Sequence, residues 1–515
     1  MATLYSGIRI PSAPTPGPWR SWSTEPSSSA GNRLHRTMLR HIALASAVLA
    51  ALLSALPAAA AEHPDPKVQA GITMLDEWIR TQVEYSGVGL VVGIVHDQEV
   101  VFLKAYGYAS LEPEAPMKED SIFRIASHSK LFTAISVLRE RDAGTLRLDD
   151  PITEHLPWFD IENRHPEARA VTVRHLLTHT AGLPRESIHP AWTEFEFPEA
   201  EAVRDTVSDQ ETTYATETKW KYSNLGFTLA GMVAEAASGK SFVDLVNQGI
   251  LEPLGMDSTS VGPIPADHES RLVTGYGRRM ADGSRQSMPF VDAHSFDPAT
   301  GFSSSVPDML RFLQWQMQVR DRKSDKVLAT NTLREMQRVH WVQSSWTGGW
   351  GLGFSVRHSE DRDLVGHGGS YPGYRTQTQL SPEEKVGVVV FTNAGDGNPG
   401  RFVEKAFEWV APHLAEEEEE KAAYDSAWDI YIGTYRNRWG DTSVLRLEDE
   451  LVVLSPLSEN PDRSKGVLKP TDEAHVFRLE SDGFGAHGEL VRFQVNDRGA
   501  AVRIYVGVNY SEKVR

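Results

Sequence analysis

Phe123-Arg124-Ile125-Ala126-Ser127-His128-Ser129-Lys130-Leu131-Phe132-Thr133-Ala134 sets a serine three residues ahead of a lysine. On a helix with 3.6 residues per turn the two share a face. If Ser127 opens a helix, its hydroxyl lies among unpaired backbone N–H groups at the positive end. Lys130 then sits one turn up, close enough to hold or take the hydroxyl proton. Serine is a weak nucleophile until a neighbouring base activates it. A lone Ser-x-x-Lys also arises by chance on exposed helices, so the pair by itself decides nothing. Leu131, Ile135 and Leu138 form an apolar stripe, and Gly144 offers a stop, which predicts a helix anchored in the core.

Two further motifs come later in the chain. Lys221-Tyr222-Ser223-Asn224-Leu225-Gly226 contains a Tyr-x-Asn, which on a loop aims a phenol and an amide at one point. A nearby lysine would lower the tyrosine pKa from about 10 and let it shuttle protons. Taken alone, the same residues describe a tyrosine packed under a loop. Gly366-His367-Gly368-Gly369-Ser370 precedes the strand-like segments 374–380 and 386–391. Glycines on an edge strand let a ligand backbone approach closely, or they mark a bend in a hairpin.

Ser-x-x-Lys, then Tyr-x-Asn, then His-Gly-Gly resembles the serine β-lactamase and penicillin-binding-protein superfamily. The branch is that of class C β-lactamases, D-aminopeptidases, D-Ala-D-Ala carboxypeptidases and related esterases. Tyr106-Gly107-Tyr108, Leu148-Asp149-Asp150-Pro151, the segment His175-Leu176-Leu177-Thr178-His179-Thr180-Ala181-Gly182-Leu183, and Gly301 with Val306-Pro307-Asp308 match the family's habits. The resemblance covers 66–414. It implies an α/β (α+β) β-lactamase/transpeptidase-like fold, with an antiparallel sheet, flanking helices and a helical subdomain. It also implies roles. Ser127 would be the acylated nucleophile, and Lys130 and Tyr222 would share general-base and general-acid work. Asn224 would orient Lys130 and the substrate amide. The backbone N–H groups of Ser127 and Ser370 would form an oxyanion hole.

Penicillin-recognising members usually carry Lys-Thr-Gly in the third motif. Here His367 stands for the lysine, Gly368 for the threonine, and Gly369 matches. A lysine is a fixed cation, whereas an unperturbed histidine titrates near pH 6.5. Strong capture of a substrate carboxylate is therefore disfavoured, and esterase, amidase or D-amino-acid peptidase activity is favoured over efficient β-lactam hydrolysis. The expected function is a secreted or periplasmic serine hydrolase that forms an acyl-enzyme on small esters or amides, including D-Ala-D-Ala type peptides. The alternatives are a true β-lactamase and a penicillin-binding sensor that acylates without efficient turnover.

Other chemistries find little footing. There is no Gly-x-Ser-x-Gly, no His-Glu-x-x-His and no phosphate-binding Gly-x-x-x-x-Gly-Lys-Ser/Thr. Zero cysteines exclude thiolate metal sites and cysteine nucleophiles. His175 and His179 are spaced to share a metal, but no further ligand lies at suitable spacing, so a supporting role is expected. No cofactor or metal is expected. A net charge of −18 argues against nucleic-acid or anionic-membrane partners, leaving a small-molecule or peptide substrate.

Residues 38–61 have a short basic start, an apolar middle and a small-residue end, as in a secretory signal peptide. The apolar stretch is shorter than a stable membrane span needs. Residues 1–37 read as a misassigned or disordered extension, with Met38 the expected start. A catalytic domain is expected over 62–414, with a helix over 66–83 and strands over 90–95 and 99–106. The run Glu416-Glu417-Glu418-Glu419-Glu420 suggests an acidic linker, 415–428. Short strand-like runs after it predict a smaller all-β domain over 429–515, similar to the lipocalin-like barrel found in some members.

Overall fold

The computed structural model describes residues 63–87, 89–359, 362–414, 424–447, 449–456, 465–481 and 486–514. The expected extension 1–37 and signal segment 38–61, and the glutamate run of the linker, lie outside the described residues. Among the described residues no helix is long and apolar enough to cross a membrane.

The runs Leu90–His96 (β1) and Val386–Thr392 (β8) are apolar almost throughout because both faces of each are covered. They pair antiparallel, Leu90 opposite Thr392 and His96 opposite Val386. Their side chains alternate between two cores. Val91, Val95, Val389 and Phe391 join the core shared with the helical region. Leu90, Val92, Ile94, Val386, Val388 and Val390 join a second core under two outer helices, α1 (Pro66–Ser86) and α7 (Pro399–Trp409). In α1, Val68, Ile72, Leu75 and Ile79 are buried as their helical spacing predicts.

The full sheet has eight strands. Glu99–Tyr106 (β2) lies at one edge, followed by β1, β8, Tyr374–Ser381 (β7), Arg362–Tyr371 (β6), Ser355–Ser359 (β5), Gly348–Trp350 (β4) and Trp341–Val342 (β3). β5 pairs β6 only as far as Gly366. From 367 to 371, one edge of β6 therefore has no strand partner among the described residues.

Helix α2 (Ser129–Ala143) differs from the expected stripe. Every residue from Ser129 to Leu138 is buried, so the helix runs through the core rather than along its surface. Its polar side chains are satisfied locally: Thr133 donates to the Pro298 carbonyl at 2.6 Å, and Ser136 to that of Phe132 at 3.0 Å. Phe132 stacks between Phe302 and Phe312, with centroids 5.0 and 4.9 Å away. Gly144 ends the helix at φ 80°, a left-handed cap that glycine adopts without steric cost.

The C-terminal domain is a closed barrel of eight strands, Gly433–Asn437 (β9), Gly440–Leu447 (β10), Glu450–Leu454 (β11), Gly466–Pro470 (β12), Val476–Glu480 (β13), Leu490–Val495 (β14), Ala501–Val506 (β15) and Asn509–Lys513 (β16). Its core holds Tyr431, Tyr435, Phe477 and Phe493. Tyr431 stacks on Phe493 at 4.3 Å, and the Tyr435 hydroxyl donates to the Tyr431 carbonyl at 2.7 Å. These aromatic side chains pack against one another within the barrel, as fits eight strands.

Candidate active site

Ser127 does not open α2. It occupies a short 3-10 turn, Ala126–His128, and the α-helix begins at Ser129. Ala126 has φ 52°, a conformation that residues with a Cβ seldom adopt, and it turns the chain sharply at the serine. The turn is held from both sides. Ser129 Oγ donates to the Ala126 carbonyl at 2.6 Å. The buried ring of His128 lies with Nδ1 3.0 Å from the Ile125 carbonyl and Nε2 2.9 Å from Thr378 Oγ1. Nδ1–H thus donates and the threonine hydroxyl donates to Nε2. Burial pushes the His128 pKa down to about 4, so the ring is a neutral strut.

Gly369 explains how β6 reaches this turn. A Cβ there would sit 2.3 Å from the Ile125 carbonyl oxygen and 2.1 Å from Thr376 Oγ1. Only glycine lets the strand approach so closely.

Lys130 is the buried centre of the site. Its Nζ lies 3.2 Å from Ser127 Oγ, 2.8 Å from Asn224 Oδ1 and 2.7 Å from the Ala299 carbonyl. Burial pushes its pKa well below the ordinary lysine range. The Glu186 carboxylate partly opposes that shift, and Arg185 adds to it. Asn224 is the first residue of α4 (Asn224–Ser238), capped by Ser223. Its Nδ2 donates to Glu186 Oε1 at 2.7 Å, which leaves Oδ1 facing the lysine.

Tyr222 packs against His179 with ring centroids 4.3 Å apart, and Lys130 Nζ lies 4.8 Å from its ring. The expected lowering of its pKa is not found. Burial raises the phenol above its ordinary range; the neighbouring Ser127 hydroxyl pulls the other way and is outweighed. The tyrosine therefore keeps its proton at neutral pH. His179 accepts from the Ser223 N–H through Nδ1 at 3.2 Å, so its proton is on Nε2. His175 caps its own helix instead, accepting from the Thr172 N–H at 3.1 Å.

His367 is buried on β6. Its Nδ1 lies 2.6 Å from the Gly368 carbonyl and so carries the proton, while Nε2 has no hydrogen-bond partner among the described residues. Burial first, then the charge of Lys130, holds its pKa well below 6.5. The ring supplies a neutral acceptor and no cation. Trp350 packs beside it at 5.4 Å. Ser127, Tyr222, His367, Gly368, Gly369 and Ser370 all border one cleft of about 850 Å³. Asn224 borders an adjoining recess that also reaches Ser127.

Three contributors are not legible in the sequence motifs: Glu186, which fixes the Asn224 amide; His128, which braces the turn; and Trp350, which walls the cleft. Glu186 lies just beyond the segment His175–Leu183, and that proximity is its only signal in the sequence.

The family model described as Beta-lactamase matches residues 75–412. The chain belongs to the Beta-lactamase family. Within that family it is a serine hydrolase. It is 25% identical over 405 residues to penicillin-binding protein 4* of Bacillus subtilis, covering 74% of this chain and 85% of that one. It spans under two-thirds of the length of the next curated relatives, 64% and 63%. The octameric penicillin-binding protein homologue from Pyrococcus abyssi superposes with a TM-score of 0.59 at 22% identity, covering 86% of this chain and all of that one. A D-stereospecific amidohydrolase from Streptomyces sp. gives 0.55 at 21% identity over 65% of this chain and 97% of its own. These structural likenesses bear on the fold of this Beta-lactamase family member.

Proposed function

We propose that this protein is an exported serine hydrolase that acylates Ser127 with small esters and amides, D-amino-acid peptides among them. The observation that carries this reading is Lys130. Its amine is buried, lies 3.2 Å from Ser127 Oγ, and is pushed towards its neutral form by that burial. A neutral amine at that distance is a general base. Lys130 takes the hydroxyl proton as Ser127 Oγ bonds to the substrate carbonyl carbon. Tyr222, still protonated, hands a proton to the departing group as its bond to that carbon breaks. Water then releases the acyl group by the reverse proton path. The backbone N–H groups of Ser127 and Ser370 take the developing oxyanion, each worth about 3–4 kcal/mol in such sites.

The neutral His367 supports esters and amides over β-lactams, because it offers no fixed charge to a carboxylate beside the scissile bond. The likeness to a D-stereospecific amidohydrolase supports the D-amino-acid substrates. The segment 38–61 supports export.

The test is labelling with a fluorophosphonate and a fluorescent penicillin, followed by turnover of an ester, a D-Ala-D-Ala peptide and a cephalosporin. Ser127→Ala should abolish labelling and turnover while the fold persists. Lys130→Ala should lower activity about as far, because residues that act as one unit fail together. Labelling at Ser129 or Ser223, or a Lys130 variant that keeps most activity, overturns the assignment.

A further inference from the structure

The recess beside Ser127 has its own chemistry. Ser127, Asn224 and Ser370 border it, and so do Arg278 and Arg375; Ser127, Ser370 and Arg375 also border the larger cleft, whereas Arg278 borders only the recess. Tyr222 borders only the larger cleft, and Asn224 only the recess. In the proposed reaction Tyr222 gives its proton to the leaving group. The leaving group therefore lies in the larger cleft, and the acyl chain lies in the recess.

The recess is cationic. Arg185 is partly neutralised, since its Nε lies 3.1 Å from Glu186 Oε1. Asp396, on the adjoining loop, is taken by Arg285 at 2.5 Å. Arg278 and Arg375 have no carboxylate partner among the described residues. Arg375 is half-buried and is held only through Nε, which donates to the Gly395 carbonyl at 2.9 Å. Its remaining N–H groups have no hydrogen-bond partner among the described residues. Arg375 stands directly across the strands from Ser370, so both side chains rise from the same face of the sheet. Two arginines on one recess without an acidic partner among the described residues stand out in a chain with 70 acidic and 52 basic residues. A guanidinium fork pairs with a carboxylate through two parallel hydrogen bonds.

We infer that this recess is a subsite for an acyl group that itself carries a carboxylate, with Arg375 and Arg278 as the specificity-determining residues. The inference rests on the serine-hydrolase reading. It names the acyl side of the substrate, which the motif residues do not address.

The test compares two 4-nitrophenyl esters of equal chain length, the hexanoate and the adipate monoester, which differ by one terminal carboxylate. At low ionic strength the parent should favour the adipate by tenfold or more in kcat/KM, and salt should shrink that preference. Arg375→Gln keeps a donor for the Gly395 carbonyl but loses the charge. Arg278→Gln alters an exposed side chain. Each should lower the adipate-to-hexanoate ratio about tenfold, and Arg278→Glu should take it below one. A parent ratio at or below one, or a ratio unmoved by both glutamine variants, overturns the subsite while the hydrolase reading stands. Turnover of neither ester overturns the hydrolase reading and the subsite together.

Discussion

Tyr222 and Lys130 are neighbours driven in opposite directions by the same cause. Burial disfavours the charged form of each, so the lysine loses its proton readily and the phenol holds its own. In the proposed reaction that divides the labour: Lys130 accepts and Tyr222 donates. Tyr222→Phe should therefore cut turnover by about 10² to 10⁴, the usual worth of positioned acid–base catalysis, with little change in substrate affinity. Steady-state and single-turnover rates on one ester would check it. Near-normal turnover in the phenylalanine variant would assign both proton steps to Lys130. At this scale the sequence is informative about Ser127, Lys130, Tyr222, Asn224 and His367, because motif spacing carries chemistry. It is silent about Glu186 and His128. Their parts depend on backbone carbonyls and amides that only the folded chain brings near.

The short helix Asp297–Thr300 (α5) supplies two of the carbonyls that organise the site, from Pro298 to Thr133 and from Ala299 to Lys130. Its first residue, Asp297, is half-buried, and its sealed Oδ1 has no hydrogen-bond partner among the described residues. Burial raises its pKa from 3.8 to about 7, against the pull of the Arg124 charge. A carboxyl raised on folding adds stability below its unfolded pKa and loses it as pH rises to the folded value. The contribution is thus full near pH 4 and gone above about pH 7, a span of about 4 kcal/mol at most. Asp297→Asn does not titrate. Its stability relative to the parent should rise by roughly 2–4 kcal/mol between pH 4.5 and pH 8. Urea unfolding at both pH values measures this, and parallel pH profiles would refute it. The helices and central strands are legible from period and apolar runs. The 3-10 turn at Ser127 is not, since Ala126 has an ordinary side chain for an extraordinary backbone angle.

The barrel is legible as an all-β domain, but not as eight strands. β9, β12 and β16 are short, and Arg436, Pro470 and Glu512 within them read as loop chemistry. Closure of the barrel gives those strands partners that no local pattern announces. The catalytic sheet poses the opposite problem, because its strands are plain in the sequence while their pairing is remote. β1 pairs β8 across about 300 residues, and β8 alone links the β1–β2 pair to the other strands of the sheet. That pairing sets a clock on folding. Until Val386–Thr392 exists, β1 has only β2 beside it, its other edge stays unpaired, and neither core can close. Loop closure over such a span is slow, and the apolar strands wait exposed in the meantime. A chain truncated before Val386 should therefore lack cooperative unfolding by circular dichroism, and a sharp transition in it would show that β1 finds another partner. For the full-length protein, the surroundings of Ser127 come into being late, after almost the whole catalytic chain has been made, so a half-made chain carries Ser127 without its site.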